Sequence, residues 1–544
     1  MVRSPSDGSW ISGEDLPMNA SAEPIGKDGE TNAVPRAARA WLDVARAIDF
    51  ARRQPGRVLA FILVVHVIVW TALPILVCPN LQLDLAEDLA LGKEWQLGYW
   101  KHPPLPWWIA HLVYRATGSI DSVYLLGPLS AALCMYAVWR LGREVVAPFA
   151  ALVAVLSLEG LHYFNFSVVK FSHDQMQLPF WALTGWFVYR AITTGRALNW
   201  VLSGVFLALA FWSKYAAFAL AATIGLFLLV DPRARQAWRG AGPYLMALTF
   251  LITLAPNLWW LVDSGFQPFR YVDQRAATAT HWYQFATFPL VWTGSQIVAL
   301  APVVALLLIL LTRVIRRVDG EEAFARRYVT ALALGPFAVT TIIAALLGRQ
   351  PIAMWGYPLW CFAPLAAVMW FAPSTDPRRM AWFARAFLLL FLGLPAIYAA
   401  VELFEPLLRD REKATHFPGR LLAETITRQW RERTGSALRY VSGAAVGTGP
   451  GEFAANNVAV YSPDRPHVIV HGNPGLSPWI DMADVERHGA VLVWQAPPGA
   501  SGLPGDLRAT FPRAELQPPL ALPRQTLRPV RPTIIHYAFV PPRP

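Results

Sequence analysis

The sequence is poor in charge and in cysteine. Only 15% of its 544 residues are charged, whereas 55% are hydrophobic and 13% are aromatic. This composition is more apolar than a soluble protein of this size needs, and several windows hold the roughly 20 apolar residues that cross a bilayer core. The three cysteines, Cys78, Cys134 and Cys361, lie in or beside apolar runs and lack metal-ligand spacing. We interpret them as packing residues.

The basic excess does not indicate nucleic-acid binding. The formal net charge is +11, but the lysines and arginines lie in short segments between apolar runs and form no single patch with interleaved aromatics. Residues 1–34 are rich in Ser, Gly, Pro and acidic residues and lack the apolar core of a signal peptide. We expect a disordered tail there, followed by an arginine-rich segment that ends at Arg57.

The apolar runs predict a polytopic α-helical membrane protein with about eleven transmembrane helices. They cover residues 58–77, 122–139, 147–161, 178–191, 200–212, 216–230, 244–262, 288–311, 329–347, 352–371 and 382–401. Every second loop is basic, through Arg140, Arg143, Arg190, Arg196, Arg233, Arg235, Arg239, Arg313, Arg316, Arg317, Arg326, Arg327, Arg378 and Arg379. The positive-inside rule makes these loops and the N-terminus cytoplasmic. The polar and aromatic residues of the other loops then share the outer face.

From about Glu402 the composition changes, because Pro, Gly and Arg rise and long apolar runs stop. Helical patterns at 421–431, 451–461 and 482–488 alternate with strand patterns at 438–442, 467–471 and 490–494. This alternation predicts a small α/β domain. Because the number of predicted spans is odd and the N-terminus is expected in the cytoplasm, the domain is expected on the outer side of the membrane. We expect the Pro-rich residues 518–544 to wrap the surface or to be extended. Gly447 to Gly451 is interpreted as a turn rather than a phosphate-binding loop.

The predicted organisation therefore has three parts. Residues 1–56 form a cytoplasmic tail, residues 57–401 form the transmembrane domain, and residues 402–544 form the outer α/β domain with its Pro-rich end.

The stretch after the first span concentrates ionisable and aromatic residues. It contains Asp84, Glu87 and Asp88, and then the segment Gly-Tyr-Trp-Lys-His-Pro-Pro-Leu at residues 98–105. Ionisable residues beside a membrane are costly and often mark a functional site. An amphipathic connection between two helices would also explain them.

This arrangement resembles the bacterial PMT-type glycosyltransferases of the GT-C fold, the glycosyltransferase 39/83 group that includes protein mannosyltransferases and aminoarabinose transferases. Those enzymes carry an Asp in the first outer loop and, further on, a Gly-Tyr-x-x-His-Pro-Pro-Leu or Lys-Pro-Pro-Leu segment. Asp84 and residues 98–105 fall in that register. The Glu that usually follows the Asp is Leu85 here. Glu87 and Asp88 could substitute for it, and both are expected among the substrate-binding residues.

Later segments also resemble motifs of the family, between about residues 57 and 401. They are Ser172-His173-Asp174, Trp212-Ser213-Lys214-Tyr215, Gly294-Ser-Gln296 with Pro302, and Met354-Trp355 with Pro358. The resemblance implies an inverting hexosyl- or pentosyltransferase that uses a polyprenyl-phosphate-linked sugar donor at the periplasmic face of the bacterial inner membrane. The acceptor stays open between lipid A or lipopolysaccharide, another glycan, a lipid and a protein.

The chemistry implied by the resemblance assigns roles to particular residues. Sugar transfer from a lipid phosphate to a hydroxyl needs a base near the hydroxyl and cations near the phosphate. Asp84 is the expected catalytic base, unless it is a helix cap or an ion-pair partner. Asp174 is the second expected catalytic residue and orients the sugar or the base. Lys101 and His102 occupy the positions where the family binds donor and acceptor, unless they cap the Pro-Pro turn.

Three further binding residues are expected. Lys214 interrupts apolar residues, and a lysine at membrane depth seeks an anion such as a lipid phosphate unless it snorkels to the interface. Arg270 is a candidate for phosphate or sugar binding in an outer loop. Trp355 is a candidate for stacking on a sugar, although tryptophan is common at membrane interfaces.

No cofactor is expected. The outer histidines and carboxylates allow a divalent cation, but no ligand spacing indicates a metal site. The expected partners are the lipid-linked donor, the acceptor and membrane lipids. A transporter or flippase for lipid-linked sugars is the alternative function, although the two halves of the chain do not match and the ionisable residues cluster at one face. An assembly protein that acts through the outer domain would leave Asp84, Asp174 and Lys214 without a role.

Overall fold

The fold is known from a computed structural model that describes residues 36–315, 317–444, 452–496 and 502–543. The predicted N-terminal tail at 1–34, Arg316 of a basic loop and the turn from Gly447 to Gly451 lie outside these residues. The exact domain boundaries stay a prediction.

Fifteen helices precede the C-terminal region among the described residues. They are α1 (Arg36–Arg53), α2 (Pro55–Val77), α3 (Leu83–Leu91), α4 (Leu105–Thr117), α5 (Leu126–Val145), α6 (Pro148–Ser157), α7 (His173–Thr194), α8 (Ala197–Ser213), α9 (Phe218–Val230), α10 (Gly242–Asp263), α11 (Gln267–Arg275), α12 (Gln284–Leu310), α13 (Gly320–Leu347), α14 (Ala363–Trp370) and α15 (Pro377–Leu408). Short strand pairs join β1 (Ala277–Thr278) to β3 (Arg349–Gln350) and β2 (Leu311–Val314) to β4 (Phe371–Pro373).

The predicted apolar runs coincide with helical segments. Six segments of the described chain are long and apolar enough to cross a membrane, namely Pro55–Val77, Ile120–Val145, Gly242–Asp263, Gln284–Leu310, Gly320–Leu347 and Pro377–Leu408. Shorter apolar helices at Pro148–Gly160, Ala197–Ser213 and Tyr215–Val230 pack among them. The prediction of a polytopic α-helical membrane protein is confirmed, whereas the number of spans stays a prediction.

A buried polar contact between two helical segments lies in the interior of the bundle. His66 on α2 and Glu159 just after α6 are almost fully buried, and His66 Nδ1 lies 2.8 Å from Glu159 Oε1. Asn165 Nδ2 donates to the backbone oxygen of Glu159 at 2.7 Å. Because a buried polar group needs a partner, this network specifies how α2 and α6 meet.

The C-terminal region is a small α/β domain, as predicted. Its helices are α16 (Gly419–Thr434), α17 (Phe453–Tyr461), α18 (Met482–His488) and α19 (Gly505–Thr510), and its strands are β5 (Tyr440–Ser442), β6 (His467–Ile469), β7 (Ala490–Trp494), β8 (Glu515–Leu516), β9 (Leu520–Leu522) and β10 (Thr533–Val540). The sheet order is β6-β5-β7-β10-β8, with β9 beside β10. Strand β5 runs parallel to β6 and β7, and β10 runs antiparallel to its neighbours.

The Pro-rich end is more ordered than the sequence indicates. Strand β10 lies inside the sheet and pairs with β7 over five residues, from His536 opposite Trp494 to Val540 opposite Ala490. Prolines would interrupt such a ladder, but they stand outside it, at Pro532 and Pro541. The run between them is rich in β-branched and aromatic residues, which suits a half-buried strand.

The C-terminal domain packs directly on the two short helices that follow the first span. One buried cluster combines Leu85 and Leu89 of α3 with Trp107 of α4 and with Leu422 and Val458 of the domain. Polar contacts surround this cluster.

Two backbone amides and one lysine side chain near α3 donate hydrogen bonds to the domain. Asn80 N donates to Thr415 O at 3.0 Å, Leu81 N donates to the Tyr461 hydroxyl at 3.0 Å, and Lys93 Nζ donates to Pro466 O at 2.8 Å. The domain therefore holds α3 in place at the end of the bundle.

This packing predicts that the glutamate usual in the family is not tolerated at Leu85. Leu85 is fully buried, so a Leu85→Glu carboxylate would lack a partner and would cost about 3 kcal/mol or more. We expect a clearly lower thermal unfolding midpoint in detergent at a fixed heating rate. The volume-conserving control Leu85→Met should cost less than about 1.5 kcal/mol. Equal midpoints for Leu85→Glu and the wild type would contradict this account.

Candidate active site

A large cavity opens at the end of the bundle beneath the C-terminal domain. It has a volume of about 560 Å³. Its walls come from α3, the segment after α3, the starts of α7 and α9, α11, and the segments around β3 and Trp355. One half is ionisable and the other half is apolar, which is typical of a site for a molecule with a polar head and a hydrocarbon tail.

Helix α3 presents three carboxylates to this cavity. Asp84, Glu87 and Asp88 all line it, because residues three and four apart share one face of a helix. Leu85 points into the core cluster on the other side. The position after Asp84 therefore does not face the cavity, and Glu87 and Asp88 supply the additional carboxylates.

Two lysines of the cavity are paired with carboxylates. Lys101 Nζ lies 2.5 Å from Glu87 Oε2, and Lys214 Nζ lies 2.7 Å from both carboxylate oxygens of Asp174. Lys214 stands at the break between α8 and α9, where its extended backbone ends α8. In each pair the two opposite charges offset each other. The anion that Lys214 contacts is therefore a carboxylate of the protein itself, Asp174.

Neither Asp84 nor Oδ2 of Asp88 has a hydrogen-bond partner among the described residues, whereas Glu87 and Asp174 are paired with lysines. Asp84 differs from Asp88 in its exposure. It is partly accessible from the cavity, whereas Asp88 is 1% exposed. Burial raises the pKa of Asp84 to about 6, Lys101 opposes this rise, and Glu87 adds to it. Burial, followed by the charges of Asp84 and Glu87, holds the pKa of Asp88 well above its usual range. Asp84 is therefore a carboxylate that the cavity can reach and that can exchange a proton near neutral pH.

The motif at residues 98–105 forms a tight turn below the acid face. A Cβ at Gly98 would overlap the Trp260 ring, which explains why a glycine stands there. The Tyr99 hydroxyl donates to Leu91 O at 2.9 Å, and Tyr99 N donates to His102 O at 3.1 Å. These bonds turn Lys101 and His102 toward the cavity.

His102 packs on the start of α7. Its ring lies 4.2 Å from that of His173, and His173 Nε2 donates to Pro103 O at 3.2 Å. Burial and the nearby charges of His173, Lys214 and Lys101 hold the pKa of His102 well below its usual range. His102 is therefore neutral and can accept or donate a hydrogen bond.

The apolar half of the cavity lies between α9, α13 and the segment around Trp355. Its lining includes Trp181, Phe218, Ile343, Leu347 and Trp355. These side chains offer hydrocarbon and aromatic surface without charge. The predicted residue Trp355 thus lies in the cavity, at its apolar side.

Helix α11 supplies residues that the sequence argument missed. Arg275 lines the cavity, whereas the predicted residue Arg270 is exposed, lies beside Gly265 and does not line it. Tyr271 also lines the cavity, and its ring lies 5.0 Å from that of Trp100. The sequence signal was the helical period. Applied to this segment, it would have placed Arg270 and Arg275 on different faces of a helix.

Arg349 is the other missed cation. It forms an ion pair with Asp273 and donates to Asp273 O at 3.1 Å. Because Arg349 lies on β3 and Asp273 on α11, these contacts connect the strand pair to the helix. Arg275 has no ionic partner within the described ranges. Among those ranges, no three His, Cys, Asp or Glu residues are arranged to hold a metal ion.

Comparisons with known proteins agree with this geometry. Residues 101–260 match the family model described as dolichyl-phosphate-mannose-protein mannosyltransferase. A comparison with curated protein sequences finds no match. The crystal structure of ArnT from Cupriavidus metallidurans bound to undecaprenyl phosphate has a TM-score of 0.55 and 12% identity, covering 90% of this chain and 99% of that chain.

The apo form of the same ArnT also has a TM-score of 0.55 and 12% identity, and covers 93% of this chain and 100% of that chain. The likeness to ArnT extends over the transmembrane helices and the C-terminal domain together. The resemblance predicted from the motif after the first span is therefore confirmed, and the chain is similar to the PMT-type glycosyltransferases of the GT-C fold.

Proposed function

We propose that this protein is an inverting glycosyltransferase that moves a sugar from a polyprenyl-phosphate-linked donor to an acceptor hydroxyl at the periplasmic face of a bacterial inner membrane. The observation that carries the proposal is Asp84, an unpaired carboxylate at the polar floor of a cavity that is apolar on its other side. The acceptor is lipid A or lipopolysaccharide, another glycan, a lipid or a protein of the cell envelope.

The reaction follows from this arrangement. Asp84 takes the proton of the acceptor hydroxyl while its oxygen attacks the anomeric carbon of the donor. The bond from that carbon to the phosphate oxygen breaks on the opposite face, and polyprenyl phosphate leaves with the electron pair. Attack from the face opposite the leaving group inverts the configuration at the sugar. Asp174 acts as a positioning residue, because it holds Lys214 next to the motif turn.

The two halves of the cavity support a lipid-linked donor. A polyprenyl chain needs an apolar channel, which α9, α13 and the Trp355 segment offer. Undecaprenyl phosphate is the molecule bound to the similar ArnT structure. Trp355 then packs against the lipid or the sugar at the border between the two halves.

The charges of the cavity indicate which cation meets the phosphate. Lys101, Lys214 and Arg349 each have a carboxylate partner. A paired lysine attracts a new anion less than an unpaired cation does. Arg275 is the cation of the cavity wall that has no such partner in the described chain, and a guanidinium can bind a phosphate with two hydrogen bonds. We therefore propose that Arg275 binds the donor phosphate and that Lys101 and His102 bind the sugar or the acceptor.

Replacing the proposed base tests the central step. Asp84→Asn keeps the shape of the side chain but cannot accept the proton, so we expect transfer to fall by about 100-fold or more, with donor binding retained. The rate is measured with purified protein, a synthetic polyprenyl-phosphate sugar and an envelope extract as acceptor. Asp263→Asn, an exposed carboxylate at the same end of the bundle, is the matched control. Full transfer by Asp84→Asn would refute the base assignment.

The pH dependence of transfer gives a second test. The base must be ionised, and burial raises the pKa of Asp84 to about 6, so kcat should be level above that pH and fall about tenfold per unit below it. Lys101→Gln removes a charge that lowers this pKa and should move the acidic limb to higher pH. Glu87→Gln removes a charge that raises it and should move the limb to lower pH. Shifts in the same direction would contradict the assignment.

The two arginines of α11 test phosphate binding. Arg275→Gln should raise the KM for the donor about tenfold or more, because a charge-assisted hydrogen bond to phosphate is lost. We expect a smaller effect on kcat. Arg270→Gln, on the same helix but outside the cavity wall, is the matched control and should leave the KM unchanged. Equal effects of the two variants would show that α11 acts through general charge.

A further inference from the structure

A second crevice lies at the opposite end of the bundle. Helix α2 runs from Pro55 at that end to Val77 beside the candidate active site, and α15 begins there at Pro377. The crevice has a volume of about 640 Å³. We call it the α1–α15 crevice, and its main lining residues are Ile48, Asp49, Arg52, Arg378, Met380 and Trp382.

Helix α1 is positioned to lie at a membrane surface. A single residue, Gln54, separates it from α2. Ile48 and Ala51 of α1 pack against the core of the bundle. Phe50, on another side of α1, is half-exposed. A helix that packs one face on the bundle and extends an aromatic side chain outward beside a transmembrane segment is typical of an interfacial helix.

Two arginines of the crevice, Arg52 and Arg378, form no ion pair with a carboxylate in the described part of the chain. Arg52 Nη2 donates to Met380 Sδ at 2.8 Å and to Thr375 O at 3.4 Å. Both acceptors are uncharged, and the thioether is a weak one. The acid of α1 that also lines the crevice, Asp49, is paired with Arg53 at 2.7 Å. The Arg378 side chain has no carboxylate partner within the described ranges. The crevice therefore attracts an anion between two guanidinium groups.

The surroundings of these arginines favour a lipid over a soluble anion. Trp382 is 60% exposed beside them, and an indole in this position is typical of the headgroup region. Farther along α15, Leu389 and Leu392 are 74% and 64% exposed. Positions 382, 389 and 392 follow one face of a helix, so an apolar path leads from the arginines into the membrane.

We propose that the α1–α15 crevice binds the phosphate of an anionic phospholipid in the leaflet at this end of the bundle. The phosphate lies between Arg52 and Arg378, Trp382 contacts the glycerol region, and an acyl chain follows Leu389 and Leu392. The site is separate from the candidate active site, and its existence does not depend on the proposed transferase reaction.

The test uses the delipidated full-length protein in detergent and counts the first bound lipid by native mass spectrometry. Phosphatidylglycerol, phosphatidylcholine and inorganic phosphate are the probes. We expect phosphatidylglycerol to bind at least about tenfold more tightly than phosphatidylcholine, because the anionic headgroup makes the charge-assisted bonds. The variant Arg378→Gln should remove most of this difference, and Arg52→Gln with Arg378→Gln should remove all of it.

The controls separate this site from general attraction to basic loops. Arg196→Gln changes an exposed arginine at the same end but outside the crevice, and it should keep the preference. The single variant Arg378→Gln alters an exposed side chain, so it tests the site even if the double variant fails to fold. Equal binding of the two lipids, an unchanged preference in Arg378→Gln, or displacement of the lipid by an equal concentration of inorganic phosphate would overturn the proposal.

Discussion

The neutralisation of charge beside a membrane is the constraint on which the candidate site depends. Water is scarce there, so an ionised side chain needs a partner of opposite charge. Lys101 takes Glu87, Lys214 takes both oxygens of Asp174, and Arg349 takes Asp273. Asp84 and Asp88 belong to none of these pairs, and of the two only Asp84 is partly exposed. Burial raises the pKa of Asp84 to about 6. Pairing and burial together thus leave Asp84 as the carboxylate that a molecule in the cavity can reach.

Much of this organisation follows from local sequence patterns. Apolar runs of sufficient length predict the helices of the bundle, because a bilayer leaves no other way to satisfy the backbone. The spacing of Asp84, Glu87 and Asp88 predicts a shared helical face, and the structure places all three on the cavity wall. A short apolar run likewise predicted β7 at Ala490–Trp494, and a helical pattern predicted α18 at Met482–His488.

The remainder depends on contacts between distant segments. Whether Lys214 meets a phosphate or Asp174 cannot be read from the apolar residues around it, since the pair spans 40 positions of the chain. The choice between Arg270 and Arg275 depends on how α11 is rotated against α9 and β3. Strand β10 was hidden by the flanking prolines, and only its pairing with β7 shows that the run between them is part of the sheet.

Leu85 connects these two kinds of information. Helix α3 has only nine residues, and both of its faces are used. One face presents carboxylates to the cavity, and the other packs on the C-terminal domain. A second acid directly after Asp84 would lie about 100° around the helix, toward that domain. The acid face can instead be extended only at positions three and four residues later, where Glu87 and Asp88 stand. Docking of the domain therefore determines which positions of α3 can carry charge, and with them the geometry around Asp84.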